Sequence, residues 1–142
     1  MFGDRWSMLV VRELSFGTSR FQDIQAQTGA TPQMLASRLK ALAADGIVES
    51  RVYSRRPMRR EYKLTAKGRD LLPVLFALRN WGEQWCKRAN EALALVTTHR
   101  RCGGEVGLDG VCVSCKQTVA FKNLVVRPSP EYAEERRRAA HQ

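Results

Sequence analysis

The stretch "TGATPQMLASRLKALAADGIVESRVYSRRPMRREYKLT", residues 28–65, holds a helix start, a helix stop and two strands in immediate succession. Thr31 stands where an N-cap belongs. Pro32 follows at the first helical position, where its missing N–H has no intrahelical partner to lose. Gly46 supplies the stop. Between them Leu35, Leu39 and Leu42 recur at spacings of four and three, so they share one face and turn inward. After Gly46, Ile47, Glu49, Arg51 and Tyr53 alternate with Val48, Ser50 and Val52, a strand pattern. "EYKLT" reads as the returning strand beyond the turn-like "SRRPMRR". A β-hairpin directly behind a helix with a polar outer face is a wing.

Upstream, "SRFQDIQAQTG" reads as a shorter helix with Ser19 as its cap, Phe21 and Ile24 within it, and Gly29 at its end. "TGAT" is then a tight turn between two helices, the form of a helix-turn-helix. Ahead of it, "GDRWSMLVVREL" places Trp6, Leu9, Val10 and Leu14 at helical spacing behind Asp4 as N-cap, with Gly17 closing the segment. Downstream, Thr65 caps a long helix expected over "AKGRDLLPVLFALRNWGEQWCKRANEALALV", with a kink or late start at Pro73. Leu71, Leu75, Leu78, Trp81 and Trp85, then Ala89, Ala92 and Leu93, carry an apolar stripe past the small core. Such a stripe packs on a partner chain. From Pro128 the polar, charge-rich sequence ending "EERRRAAHQ" reads as a frayed tail. The expected class is α+β, mainly α: a winged helix-turn-helix with a long C-terminal helix and a small zinc-ribbon-like β element. The expected division is a DNA-binding and dimerisation domain over 1–95, a Cys/His ribbon over 96–127 and a disordered tail over 128–142.

The 142 residues are 44% hydrophobic, enough for a buried core, and carry a formal net charge of +10, which puts polyanions first among partner classes. No apolar run approaches the ~18 residues of a membrane span, and no signal-peptide pattern opens the sequence. The default setting is cytoplasmic, where cysteines stay reduced. No Gly-rich phosphate loop or nucleophile elbow occurs, so an enzyme is not expected.

Opposite the leucines, the helix from Pro32 presents Gln33, Ser37 and Lys40, with Met34 at the edge, Arg38 on the flank and Thr31 at its start. Gln can bond adenine bidentately, Ser can serve either base, Lys can reach guanine, and Met can meet a thymine methyl. In the wing, Arg51, Arg55, Arg56, Arg59, Arg60 and Lys63 face a single acid, Glu61. On a hairpin, guanidinium groups so clustered point outward to phosphates or a minor groove. The partner so described is double-stranded DNA.

Three of the four cysteines lie in "HRRCGGEVGLDGVCVSC", residues 99–115. His99-x2-Cys102 and Cys112-x2-Cys115 are two short pairs joined by a loop, which suits a tetrahedral zinc site with no open position. Gly103 and Gly104 allow the first pair to turn, and "GLDG" is a natural hairpin tip. The segment is poor in large apolar residues, and a structural metal supplies the missing folding energy. Cys112 and Cys115 as reversible thiols, and cysteines without a metal role, are the competing readings. Cys86 reads as a packed small hydrophobe, and His141 as a tail residue without a role.

"GDRWSMLVVREL", "SRFQDIQAQTGATPQMLASRLKALAADGIVESRVY" and "REYKLTAKGRDLLPVLFALRNWGEQW" together resemble HxlR-type winged-helix transcriptional regulators over roughly residues 3 to 85. The resemblance implies a homodimeric DNA-binding regulator whose dimer is built largely from helices flanking the winged helix. Some HxlR-like proteins with C-terminal extensions carry a similar "HxxCG…CxxC" pattern. Family members normally carry a segment ahead of "GDRW", often with the cysteine of redox-sensing members. No cysteine occupies that position here, so that form of thiol sensing is not implied. A redox- or metal-responsive sensor using the C-terminal cysteines, and an interaction adaptor on the same scaffold, are the alternatives. The basic wing argues against the adaptor, and the sequence names no effector.

Overall fold

The computed structural model describes residues 4–88 and 91–140, and these divide into two compact units. The first is made mainly of the chain up to Leu75, and the second spans Phe76–Arg138.

In the first unit, α1 (Arg5–Ser15), α2 (Phe21–Thr28) and α3 (Pro32–Ala44) are followed by the hairpin β1 (Val48–Arg55) and β2 (Met58–Leu64), then α4 (Ala66–Arg69) and the start of α5 (Leu72–Trp85). Asp4 caps α1, its Oδ1 accepting from the Trp6 N–H at 2.9 Å and the Ser7 N–H at 3.1 Å. Thr31 caps α3 by accepting from the Met34 N–H, with Pro32 at the first position. The helical periodicity then delivers its side chains to one core: Val10, Val11 and Leu14 from α1, Ile24 from α2, Leu35, Leu39 and Leu42 from α3. Ile47, Val48 and Leu64 close that core from the hairpin. Each large aliphatic side chain buried this way contributes roughly 1.5–3 kcal/mol. At Gly68 an added Cβ would fall 2.2 Å from the Ile47 carbonyl oxygen, so only glycine lets α4 approach the foot of the wing.

Two expectations for this part of the chain are corrected, the cap of α2 and the end of the long helix. Ser19 does not cap α2. Its carbonyl accepts from the Tyr62 N–H at 2.8 Å and Arg20 bridges Glu61, so the segment serves the sheet edge and Arg20 takes the cap position without a side-chain bond. The long helix is broken after Arg69 and restarts at Leu72, the late start expected at Pro73. Pro73 sits in the first turn of α5, where its ring would clash with the Arg69 carbonyl of a continuous helix. Its C-terminal end comes at Trp85 instead of Val96. Leu95 and the β-branched Val96, Thr97 and Thr98 pair instead with a strand, and that pairing overrides the helical spacing of Ala92 and Leu93. Ala89 lies outside the described residues.

In the second unit, β3 (Leu95–His99) pairs antiparallel with β4 (Leu124–Pro128), in a register from Leu95↔Pro128 to His99↔Leu124. The chain between them returns through bridges Thr98↔Glu105, Val106↔Cys112 and Val111↔Thr118. Its core is small: Val106, Cys112, Val119 and Leu124, against which Phe76 and Phe121 pack, their rings edge-on with centroids 5.6 Å apart. On α5, Glu83 holds Arg79 at 3.5 Å and Lys87 at 3.0 Å, and accepts from the Ala94 N–H at 3.2 Å. The expected frayed tail is instead α6 (Pro130–Ala140). Ser129 Oγ accepts from the Tyr132 N–H at 3.2 Å, Pro130 occupies the first position, and Glu134 pairs with Arg137 and Arg138 one turn on. Local capping and i,i+3/i,i+4 pairs hold a helix there that apolar periodicity does not announce.

Candidate DNA-reading surface and metal centre

Because Leu35, Leu39 and Leu42 are sealed inward, α3 turns Gln33, Ser37 and Lys40 to solvent on its opposite face. Met34 is half-buried at the edge, as its expected position requires. Thr31 is exposed, but its hydroxyl is spent on the helix cap. Arg38 does not stand free. Its Nε lies 3.3 Å from Asp4 Oδ1, tying α3 to the start of α1. Burial opposes the Asp4 carboxylate, yet the Ser7 hydroxyl and N–H, the Trp6 N–H and Arg38 together hold its pKa below the ordinary value.

The wing carries Arg51, Arg55, Arg56, Arg59 and Arg60, all exposed. Arg55 and Met58 are paired across a tip of two residues, Arg56 and Pro57, so β2 begins earlier than "EYKLT" and includes Arg59 and Arg60. A bulge between Val52 and Ser54 bends β1. Arg60 donates to Ser50 Oγ at 3.1 Å across the strands, and Lys63 is paired with Glu61 at 3.3 Å. The free positive charge is therefore gathered toward the tip. Arg20 joins it, its guanidinium 5.5 Å from the ring of the exposed Tyr53. Sequence reading missed Arg20 because nothing local links it to a hairpin more than thirty residues on. The edge bridge to Glu61 and the stacking on Tyr53 do so in the fold.

The Cys/His residues converge as their spacing implies. His99 ends β3 and is buried. The turn after it closes by a Gly103 N–H to His99 carbonyl bond of 2.8 Å and a His99 N–H to Gly104 carbonyl bond of 2.8 Å. Gly103 has φ +70°, a left-handed conformation. An added Cβ at Gly104 would lie 2.8 Å from Cys112 Sγ and closer still to Ser114. Both glycines are thus required for the two turns to meet. The second turn closes with Lys116 N–H donating to the Cys112 carbonyl at 2.9 Å.

Four potential ligand atoms, one each from His99, Cys102, Cys112 and Cys115, lie within 4.8 Å of one another. His99 Nδ1 is 3.3 Å from Cys102 Sγ and 3.4 Å from Cys115 Sγ, and Cys102 and Cys112 sulfurs are 3.5 Å apart. Around a tetrahedral zinc with Zn–S about 2.3 Å and Zn–N about 2.0 Å, neighbouring donors stand about 3.5–3.8 Å apart. The donor set therefore fits a metal ion with all four positions filled by protein. The Cys115 N–H draws the Cys112 thiol down to about 6, helped by the Ser114 N–H and opposed by burial. At Cys102 the Gly104 N–H pulls downward, but the neighbouring Cys112 and Cys115 sulfurs and burial raise the thiol above its ordinary value. The downward shift at Cys112 favours the thiolate, the form that binds metal. Cys86, expected to be packed, is exposed just past the end of α5. His141 lies outside the described residues.

A family described as HxlR-like helix-turn-helix matches residues 1–90. Among curated relatives, the HTH-type transcriptional regulator Rv3095 of Mycobacterium tuberculosis is 32% identical over 132 residues, covering 93% of this chain and 83% of the relative. Among solved structures, the candidate transcription factor PA1607 is 35% identical with a TM-score of 0.64, covering 90% of this chain and 87% of that one. The reduced form of the redox regulator HypR is 33% identical with a TM-score of 0.54, covering 58% of this chain and 82% of its own.

Proposed function

The chain belongs to the HxlR-like helix-turn-helix family, and from that premise we propose how its residues divide the work of a DNA-binding transcriptional regulator. Its family and relatives are regulators, not enzymes. The reading of DNA rests on one observation above the rest: Gln33, Ser37 and Lys40 form an exposed polar face on α3, followed directly by an exposed arginine wing. We assign base contacts to Gln33, Ser37, Lys40 and the edge of Met34. Phosphate or minor-groove contacts fall to Arg51, Arg55, Arg56, Arg59 and Arg60. Arg38 and Thr31 orient the helix, one through Asp4 and the other as cap. Binding to DNA upstream of its own gene should weaken steeply with salt and leave a two-fold-symmetric footprint. A salt-independent or absent interaction would overturn the assignment.

The protein works as a homodimer in this reading. Leu78, Trp81 and Trp85 on α5 are 57%, 58% and 68% exposed, a large apolar stripe for a monomer to leave in water. Sedimentation at micromolar concentration should give twice the chain mass, and a monomer there would remove the dimer from the proposal. The DNA-binding and dimerisation part is taken as 1–95 and the ribbon as 96–127.

His99, Cys102, Cys112 and Cys115 would hold one structural zinc, whose ligand bonds fold the ribbon. Elemental analysis of protein purified without chelator tests it, with close to one equivalent per chain expected. A cytoplasmic setting suits reduced ligand thiols. Among the described residues no helix is long and apolar enough to cross a membrane. A sensing role for the same cysteines would show itself as DNA affinity that changes with oxidant or chelator.

A further inference from the structure

Four cations sit on the turns that bring the cysteines together. Arg100 and Arg101 occupy the turn between His99 and Cys102, and Lys116 follows Cys115 with φ 58°. Lys122 lies in the short 3-10 turn Phe121–Asn123, whose Asn123 carbonyl accepts from the Arg100 N–H at 2.8 Å. The contact of His99 with both Cys102 and Cys115 draws the two turns to one end of the ribbon. All four cations are exposed.

Elsewhere in the same unit Arg79, Lys87, Arg137 and Arg138 are answered by acids, while Arg88 and Arg127 stand singly rather than clustered. Glu83 meets Arg79 and Lys87, and Glu134 meets Arg137 and Arg138. None of the four at the ribbon end has a carboxylate within ion-pair distance among the described residues. The acids of the intervening chain are engaged away from them. Asp109 accepts from the Val111 N–H at the hairpin tip, and Glu105 lines a cleft with Thr97, Leu108 and Ser129. Uncompensated like charges on neighbouring tight turns repel one another over a Debye length of about 8 Å. A polyanion relieves that repulsion, and a partner chain with ordinary mixed charge does not.

We propose that the ribbon end is a second DNA-contacting surface, in which Arg100, Arg101, Lys116 and Lys122 bind phosphates of the duplex beyond those met by the wing. The inference rests on the DNA-binding reading above and extends it to a part of the chain outside the helix-turn-helix. It predicts affinity without base preference, because the turns offer charge and no shaped edge to a groove.

The test substitutes Arg100→Gln, Arg101→Gln, Lys116→Asn and Lys122→Gln together. Asparagine is chosen at 116 because it tolerates the left-handed backbone. DNA affinity is measured as a function of salt for the parent, this variant and a wing variant. The slope of log affinity against log salt should fall by about 0.9 for each phosphate no longer neutralised, with base preference unchanged. The native thiols should react no faster than the parent's, which reports an intact ribbon. An unchanged slope overturns the proposal while leaving the wing's role intact. Faster thiol reaction also overturns it, because the cations would then serve to hold the cluster together. A parent that binds no DNA, with the wing variant equally inert, overturns the regulator reading itself and this inference with it.

Discussion

In the winged helix the largest fully buried side chains are Ile24, Leu35 and Leu42, set in a core of eleven apolar residues among those described. In the ribbon the side chain buried as completely is Cys112, and beside it stand a second sulfur and an imidazole. Only Val106, Val119 and Leu124 join it in that core. A helical scaffold concentrates apolar faces cheaply in sequence, one residue in three or four. A ribbon of short bridges has too few inward positions to do so. The first unit has the larger reserve of burial, and in the second the proposed zinc bonds would make up the difference.

The sharpest way to break this comparison is to test the proposed zinc by chelation. Structural zinc supplies on the order of 10 kcal/mol to a small site of this kind. Chelation, or Cys112→Ser, should free the thiols and open amide exchange over about 99–126, while the helices of the first unit keep their protection. Zinc below about a tenth of an equivalent in untreated protein, with thiols fully titratable in the native state, would show that the ribbon is held by something else. Simultaneous loss of protection in both units would show that the two cores are not independent.

The converse experiment acts on the apolar core. Leu35→Ala removes a fully buried side chain at the centre of the first core and should cost about 2–5 kcal/mol. Metal content should not change. A variant deficient in both stability and zinc would erase the distinction between the two cores.

On the DNA-reading surface the effects are smaller and of two kinds. Gln33→Ala should alter which bases are preferred, by about 1–3 kcal/mol at the base pair it reads. Alanine at Arg55, Arg56, Arg59 and Arg60 should weaken binding to every sequence, lowering the salt slope by about 0.9 for each phosphate left without its arginine. Equal loss of preference in both variants would mean that the wing reads bases too.

The two regions also differed in how far the sequence disclosed them. Thr31, Pro32 and the leucine spacing announce α3 because capping and helical periodicity are local. His99 and the three cysteines announce their convergence because ligand spacing is a pattern few other purposes produce. The end of α5 was not legible. Ala92 and Leu93 continue the helical stripe, and only pairing of Leu95–His99 with a strand nearly thirty residues away takes that segment out of helix. Arg20 was missed, and the Arg38 ion pair was not foreseen, for a similar reason, since their partners Tyr53 and Asp4 come from other elements. The helix at Pro130–Ala140 escaped because its stabilising pairs are polar and its apolar face is weak.

The smallest expected effect tests whether polar groups of the first unit only trim a fold that its core already holds. Asp4 caps α1 and meets Arg38 across to α3, and its carboxyl is held below the usual range. A depressed carboxyl adds stability that is present above its unfolded value, about 4, and is lost as pH falls through the lower folded value. Asp4→Ala should therefore cost about 1 kcal/mol at neutral pH, the worth of an N-cap, with the partly exposed Arg38 pair adding little. Asp4→Asn keeps an oxygen for the Trp6 and Ser7 N–H groups and loses only the charge. Its deficit should be a fraction of the alanine variant's at pH 7 and vanish below the folded value, where the parent is itself protonated. Urea unfolding of the three proteins at pH 7 and in acid separates cap from charge. A deficit for the asparagine variant that persists unchanged in acid would mean that the charge at Asp4 plays no part.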